Sequence, residues 1–177
     1  FTGSTATGTL VMKLAADGIK RVSLELGGKS PNVVFDDADL DVCVEKSAWS
    51  VFDNTGQDCC ARSRALVHRK IFDKFAAALS ARAKKFVVGH PEKKGTELGP
   101  LISARQLARV TNYVQDGRDA GAKVLCGGAA PKGAPAGGFY FSPTVFDRVR
   151  TDMRVAREEI FGPVVCLIPF KDEEEAI

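Results

Sequence analysis

The sequence holds 177 residues, 45% of them apolar and 27% charged, which suits one globular domain with a real core. A net charge of +3, from 25 basic and 22 acidic residues that are scattered along the chain, argues against a nucleic-acid partner. No apolar stretch approaches the ~20 residues of a bilayer span, and no basic-then-apolar leader opens the chain, so neither a membrane nor a signal peptide is expected.

The first residues, Phe1-Thr2-Gly3-Ser4, read as a strand end entering a turn. Gly3-Ser4-Thr5 offers hydroxyls to cap a helix, and Leu10, Val11, Leu14 and Ala15 share one face of it, with Gly18 placed to end it. Val22, Leu24 and Leu26 alternate with Ser23 and Glu25, as in a strand with two unlike faces, which stops at Gly27-Gly28. Asn32 to Phe35 reads as a further short strand. Asp36, Asp37 and Asp39 precede a helix reaching about Phe52, whose apolar face is Leu40, Val44, Ala48 and Val51.

A Gly56-Gln57 turn then delivers two adjacent cysteines, Cys59 and Cys60. Arg64 to His68 reads as a strand, and an amphipathic helix spans about Ile71 to Phe86 with Phe72, Phe75 and Leu79 inward. A second long helix runs from about Ser103 to Ala120, ended by Gly121, and Val124-Leu125 is a brief strand. Residues 127–138 are rich in Gly, Ala and Pro and read as an exposed loop. Phe139 to Phe146 is strand-like. Glu158 to Pro163 is a turn before the strand Val164 to Phe170, and a helix starts at the acidic run Asp172 to Glu175. Strands alternating with helices imply an α/β fold with a largely parallel sheet flanked by helices. The chain begins without Met and closes on a helix just begun, so it is expected to be a piece of a longer polypeptide.

Two motifs carry chemistry. Cys59 is a candidate nucleophile, with Arg62 and Arg64 nearby as cations able to favour its thiolate. Glu25, a lone carboxylate between leucines, is a candidate base; it is equally a candidate salt-bridge partner. The bland reading of an isolated cysteine is a small buried hydrophobe, and Cys43, Cys60, Cys126 and Cys166 keep it. The cysteine count is odd, with no C-x-x-C and no Cys/His spacing suited to zinc, so no metal is expected and free thiols in a reducing cytoplasm are the simplest state. A vicinal Cys59–Cys60 disulfide would be strained. Gly3 and Gly8 have P-loop spacing, but the Lys-Ser/Thr pair is missing, and Gly-x-Gly-x-x-Gly is absent; what remains is a Gly-Ser turn at a helix N-terminus, a general anion site. A cysteine hydrolase would need a histidine base, and only His68 and His90 are present, neither marked for that role.

Four runs stand together: Phe1-Thr2-Gly3-Ser4-Thr5, Leu24-Glu25-Leu26-Gly27-Gly28-Lys29-Ser30-Pro31, Gly56-Gln57-Asp58-Cys59, and Glu158-Glu159-Ile160-Phe161-Gly162-Pro163. In order and spacing they resemble the aldehyde dehydrogenase superfamily, over essentially the whole chain. The resemblance implies an aldehyde dehydrogenase-like catalytic domain at residues 25–177, and the end of a dinucleotide-binding domain at residues 1–24. It implies oxidation of an aldehyde to a carboxylic acid with NAD or NADP. Cys59 matches the nucleophile that forms a thiohemiacetal and then a thioester, and Glu25 matches the base that activates water to hydrolyse it. Glu25 also favours hydrolysis over transfer to coenzyme A. The Cys59 N–H matches half of an oxyanion hole. Gly3 and Ser4 match the pyrophosphate contact; Glu159, Phe161 and Gln106 match contacts to the nicotinamide ribose. Asp58 departs from the family, where an apolar residue or cysteine is more usual. The second oxyanion donor, most of the dinucleotide domain and the C-terminal oligomerisation segment of the family are not in this sequence. An isolated piece is therefore expected to be inactive, its parent a homo-oligomer. A non-catalytic module of the same fold is the alternative.

Overall fold

A computed structural model describes residues 1–177. The chain opens on β1 (Thr2–Gly3), α1 (Thr5–Asp17) and β2 (Glu25–Leu26), and β1 and β2 form a small parallel pair of their own, Thr2 beside Glu25 and Gly3 beside Leu26. Ser4 caps α1 by accepting the Thr7 N–H on its hydroxyl, and Gly18 closes the helix. The strand expected over Val22 to Leu26 shrinks to two residues, because β1 offers only two residues to pair with.

The rest builds on five strands: β3 (Pro31–Val34), β4 (Arg64–His68), β5 (Lys123–Cys126), β6 (Thr144–Asp147) and β7 (Val164–Phe170). Their order is β3-β4-β7-β6-β5, parallel throughout except for β5, which runs antiparallel along the edge. The central strand β7 is buried on both faces, which its near-continuous apolar run Val-Val-Cys-Leu-Ile requires. The strand expected from Phe139 begins only at Thr144. Pro143 has no N–H for a ladder, so Phe139 to Ser142 instead bonds outward to Leu101 and Ala129 while Tyr140 and Phe141 stay buried.

One face of the sheet carries α2 (Leu40–Phe52) and α3 (Phe72–Ala83), whose Val44, Val51, Phe52, Phe75 and Leu79 join Val67 and Leu167 in one core. The other carries α4 (Ala104–Asp119) and the short α5 (Arg154–Arg157), where Val110, Val114 and Val155 pack on Phe146, Val164 and Cys166. Asp39 and Ser103 cap α2 and α4 through their side chains. The helix α6 (Glu173–Ala176) ends the chain. The expected apolar stripe of α1 finds no partner: Leu10 and Leu14 are 59% and 73% exposed, and only Gly8 and Ala15 are buried. No helix is long and apolar enough to cross a membrane.

Candidate active site

The four motifs converge on one cavity of about 660 Å³. Glu25, Cys59, Gln106, Glu159 and Phe161 all line it, and Thr2, Gly3 and Ser4 close one end. The site therefore straddles the seam between the β1–β2 pair and the five-stranded sheet.

Cys59 reaches the cavity on a tightly wound loop. After α2, Asn54, Thr55 and Gly56 take φ values of 47°, 57° and 69° in succession. Asn tolerates that left-handed region, but a β-branched Thr there is strained. Thr55 is held by its hydroxyl, which donates to the Gly99 carbonyl at 3.0 Å. Gly56 must be glycine twice over, since a Cβ there would also run into the Gly162 carbonyl. The Gln57 side chain accepts the Ile102 N–H at 2.8 Å and donates to the Asn54 carbonyl, so the turn is pinned from both sides. Cys60 sits beside Cys59 but does not line the cavity, whereas Cys59 does.

The Cys59 thiol is held above the usual thiol range. The causes are its hydrogen bond and charge interaction with Cys60, Sγ to Sγ 3.8 Å, then partial burial, then the Asp58 carboxylate. Neither Arg62 nor Arg64, candidates whose direction the residue order leaves open, is among these influences. Arg64 instead donates to the Lys29 carbonyl at 3.0 Å. Burial pushes Cys126 up as well, and Cys166 to about 11, which leaves those thiols inert. All five cysteines are free. The Cys59 backbone N–H has no protein acceptor and is available to an oxyanion.

Glu25 projects from β2 into the same cavity and is exposed, with no salt bridge, so the ion-pair reading of this residue is not realised. Behind it, the Gly27-Gly28 step lets the chain pass close to Glu159. A Cβ on Gly27 would strike the Glu159 carboxylate, and the Gly28 N–H donates to its Oε1 at 3.2 Å. The Glu159 Oε2 is left free to accept from a ligand hydroxyl. At the other end, Ser4 binds the Thr7 N–H, while the preceding amides of Thr5 and Ala6 have no intrahelical acceptor. That end of α1 presents free backbone donors and the positive end of the helix dipole, which suit an anion.

The segment Glu158 to Phe161 is held from α4 and α5. Gln106 donates its amide to the carbonyls of Ile160 and Phe161 at 3.1 and 2.7 Å. Arg109, one turn on, donates to the carbonyls of Ile160 and Glu159 at 3.3 and 2.6 Å. The Tyr113 hydroxyl donates to the Glu158 carboxylate at 2.7 Å and Arg154 Nε donates to it at 3.0 Å, and these bonds hold the Glu158 carboxyl below its ordinary range. These partners keep Phe161 at φ 58°, an unfavourable conformation for a bulky residue. The Gln106 amide nitrogen thus serves the protein backbone, and only its oxygen is left for a ligand. Arg109 was not singled out by sequence reasoning; its place three residues after Gln106 on one helix puts both on the same face, and that spacing is the signal.

The aldehyde dehydrogenase family profile matches residues 1–177. An aldehyde dehydrogenase of Emericella nidulans is 48% identical over 178 residues, covering 100% of this chain and 35% of that protein. The structure of the NAD+ complex of a Bacillus cereus aldehyde dehydrogenase superposes with a TM-score of 0.95 at 44% identity, over 99% of this chain and 35% of that one. A mutant of aldehyde dehydrogenase C from Pseudomonas syringae, solved with NAD+ and octanal, superposes with a TM-score of 0.95 at 43% identity, over 99% and 36%. The chain spans about a third of the length of the relatives it matches. Matched along its whole length, and with the motifs that carry the match gathered around one cavity, the chain belongs to the aldehyde dehydrogenase family.

Proposed function

We propose that this chain supplies the nucleophile, the hydrolytic base and part of the dinucleotide site of an enzyme that oxidises an aldehyde to a carboxylic acid with NAD or NADP. The observation that carries the reading is the meeting of Cys59 and Glu25, 34 positions apart, on the wall of one cavity. The residues present fit part of a dinucleotide: the open N-terminal turn of α1 suits a pyrophosphate, and the free oxygen of Glu159 suits a ribose hydroxyl. Bound there, the nicotinamide would supply the hydride acceptor.

The protein's own groups divide the remaining work. The Cys59 thiolate adds to the aldehyde carbon, and its N–H donates to the oxygen that becomes negative. After hydride loss the carbon is a thioester on Cys59. Glu25 takes a proton from a water molecule that attacks this thioester, and the acid leaves as the Cys59 sulfur is released. The contacts that hold Thr55 and Phe161 in their left-handed conformations set the wall that carries Cys59, opposite Glu25. The proposed division is the end of a dinucleotide-binding domain at 1–24 and a catalytic domain at 25–177, with β2, which pairs with β1, lying at the junction.

The test uses a longer polypeptide that includes this segment. Glu25→Gln should give a single burst of reduced cofactor with an acyl group trapped on Cys59, read by intact mass, and steady turnover should fall at least ~100-fold. Cys59→Ala should give neither burst nor adduct. Unchanged turnover in Glu25→Gln would remove Glu25 as the base.

A further inference from the structure

The geometry points to a second use of the Cys59 loop: a binding site for a zinc-class divalent cation, made by Asp58, Cys59 and Cys60, that closes off the nucleophile. Only this last consequence rests on the role proposed for Cys59. One carboxylate oxygen and the two sulfurs all lie within 4.8 Å of one another. The two sulfurs are 3.8 Å apart. Two Zn–S bonds of about 2.3 Å at a tetrahedral angle span about 3.8 Å, so the sulfurs already stand at the separation that one zinc ion requires. Cysteine spacing alone does not suggest this, because the ligands are adjacent residues rather than the usual C-x-x-C.

The third ligand is the residue that departs from the family pattern. Asp58 is exposed, and its Oδ1 accepts the Cys60 N–H at 2.9 Å, which ties the carboxylate to the same turn as the sulfurs. Its Oδ2 accepts no protein donor and remains for a metal. Two thiolates and one carboxylate select a borderline-soft ion over magnesium or calcium. On binding, the Cys59 and Cys60 thiols each lose a proton to solvent, and two metal–sulfur bonds and one metal–oxygen bond form; nothing is oxidised or reduced. Three protein ligands leave a fourth position for water. The Cys59 lone pair that would attack a carbonyl is then held by the metal, so the ion acts as a reversible inhibitor.

Titrating the reduced 177-residue chain with Co2+ under anaerobic conditions tests this without any turnover. The expected result is one equivalent bound, with a thiolate-to-cobalt charge-transfer band and the intense visible bands of four-coordinate cobalt. Zn2+ should bleach those bands and protect Cys59 from iodoacetamide, and a chelator should restore alkylation. Cys60→Ser should abolish the bands, and Asp58→Asn should weaken binding ~10-fold or more while keeping the charge-transfer band. Absence of the bands would overturn the site, and so would their persistence in Cys59→Ser/Cys60→Ser, which would place the metal on other cysteines. Unaltered affinity in Asp58→Asn would overturn the three-ligand form. These readings stand apart from the Glu25→Gln test, since spectra can fail while turnover survives, and turnover can fail while the metal binds.

Discussion

The β1–α1–β2 unit and the five-stranded sheet meet at the same cavity but are held by different means. The sheet is enclosed by two apolar clusters, and side chains such as Phe75, Leu79 and Val164 have no exposure at all. In α1 the apolar residues Leu10, Met12 and Leu14 face outward, and the unit packs mainly on itself, with Gly8 against Leu26. No hydrogen bond runs from residues 1–26 to the sheet; the first tie is from Gly28, in the connecting segment, to Glu159. Stability and chemistry are thus distributed unevenly. The sheet side holds Cys59, Gln106, Glu159 and Phe161, while Glu25 and the N-terminus of α1 stand on the side with fewer buried apolar contacts.

The contrast is broken most directly by cutting an apolar side chain on each side. Leu79→Ala, in the middle of the α2–α3 core, should lower stability by about 2–5 kcal/mol in urea denaturation. Leu14→Ala, on the open face of α1, should change it by less than about 0.5 kcal/mol. Comparable losses at both positions would show that α1 is buried in solution and would end the comparison.

The next effect sits on the loop that carries Cys59. Gly56→Ala must hold φ 69° with a Cβ pressed on the Gly162 carbonyl. The strain is about 1–3 kcal/mol, and relieving it means moving the loop. A lower midpoint in urea, together with a changed alkylation rate at Cys59, is the expected pair of results. Smaller again is Arg109→Ala, which removes the bonds to Glu159 and Ile160. We expect a loss of about 1 kcal/mol and faster amide exchange across residues 159–162, with Cys59 reactivity unaltered.

Much of this arrangement was legible in the sequence, for identifiable reasons. Helices α2, α3 and α4 announce themselves because their apolar residues recur at helical spacing, and α2 and α4 also carry caps at Asp39 and Ser103. The strand β7 is plain because both its faces are apolar. The stripe on α1 was equally plain as a pattern, yet periodicity records which residues share a face and says nothing about what covers it. The short helix α5 was invisible, since four residues give no period to read. At the site, Cys59 and Glu25 stood out by residue type, whereas the support given by Arg109 and Tyr113 depends on backbone carbonyls and a carboxylate brought close only by the fold. The pull of Cys60 on Cys59 depends on side-chain rotation within one turn, which residue order leaves open.

The finest expected effect concerns that pull, and it sharpens the comparison because it changes reactivity on the rigid wall without touching either core. Cys60 and Asp58 both act to keep the Cys59 proton on, Cys60 more strongly. A thiol held up in this way is less ionised at any pH below its own pKa, so alkylation of Cys59 climbs with pH and levels off late. Removing either neighbour's influence lowers the Cys59 pKa, and the rise in rate moves to lower pH. Cys60→Ala should move it further than Asp58→Asn, and both variants should unfold in urea like the parent chain, since neither residue is buried. Iodoacetamide rates resolved by peptide mass across the neutral and alkaline range measure this directly. A profile moving to higher pH in either variant would mean that Cys59 is governed by groups across the cavity, Glu25 among them, and that the two walls are electrostatically one.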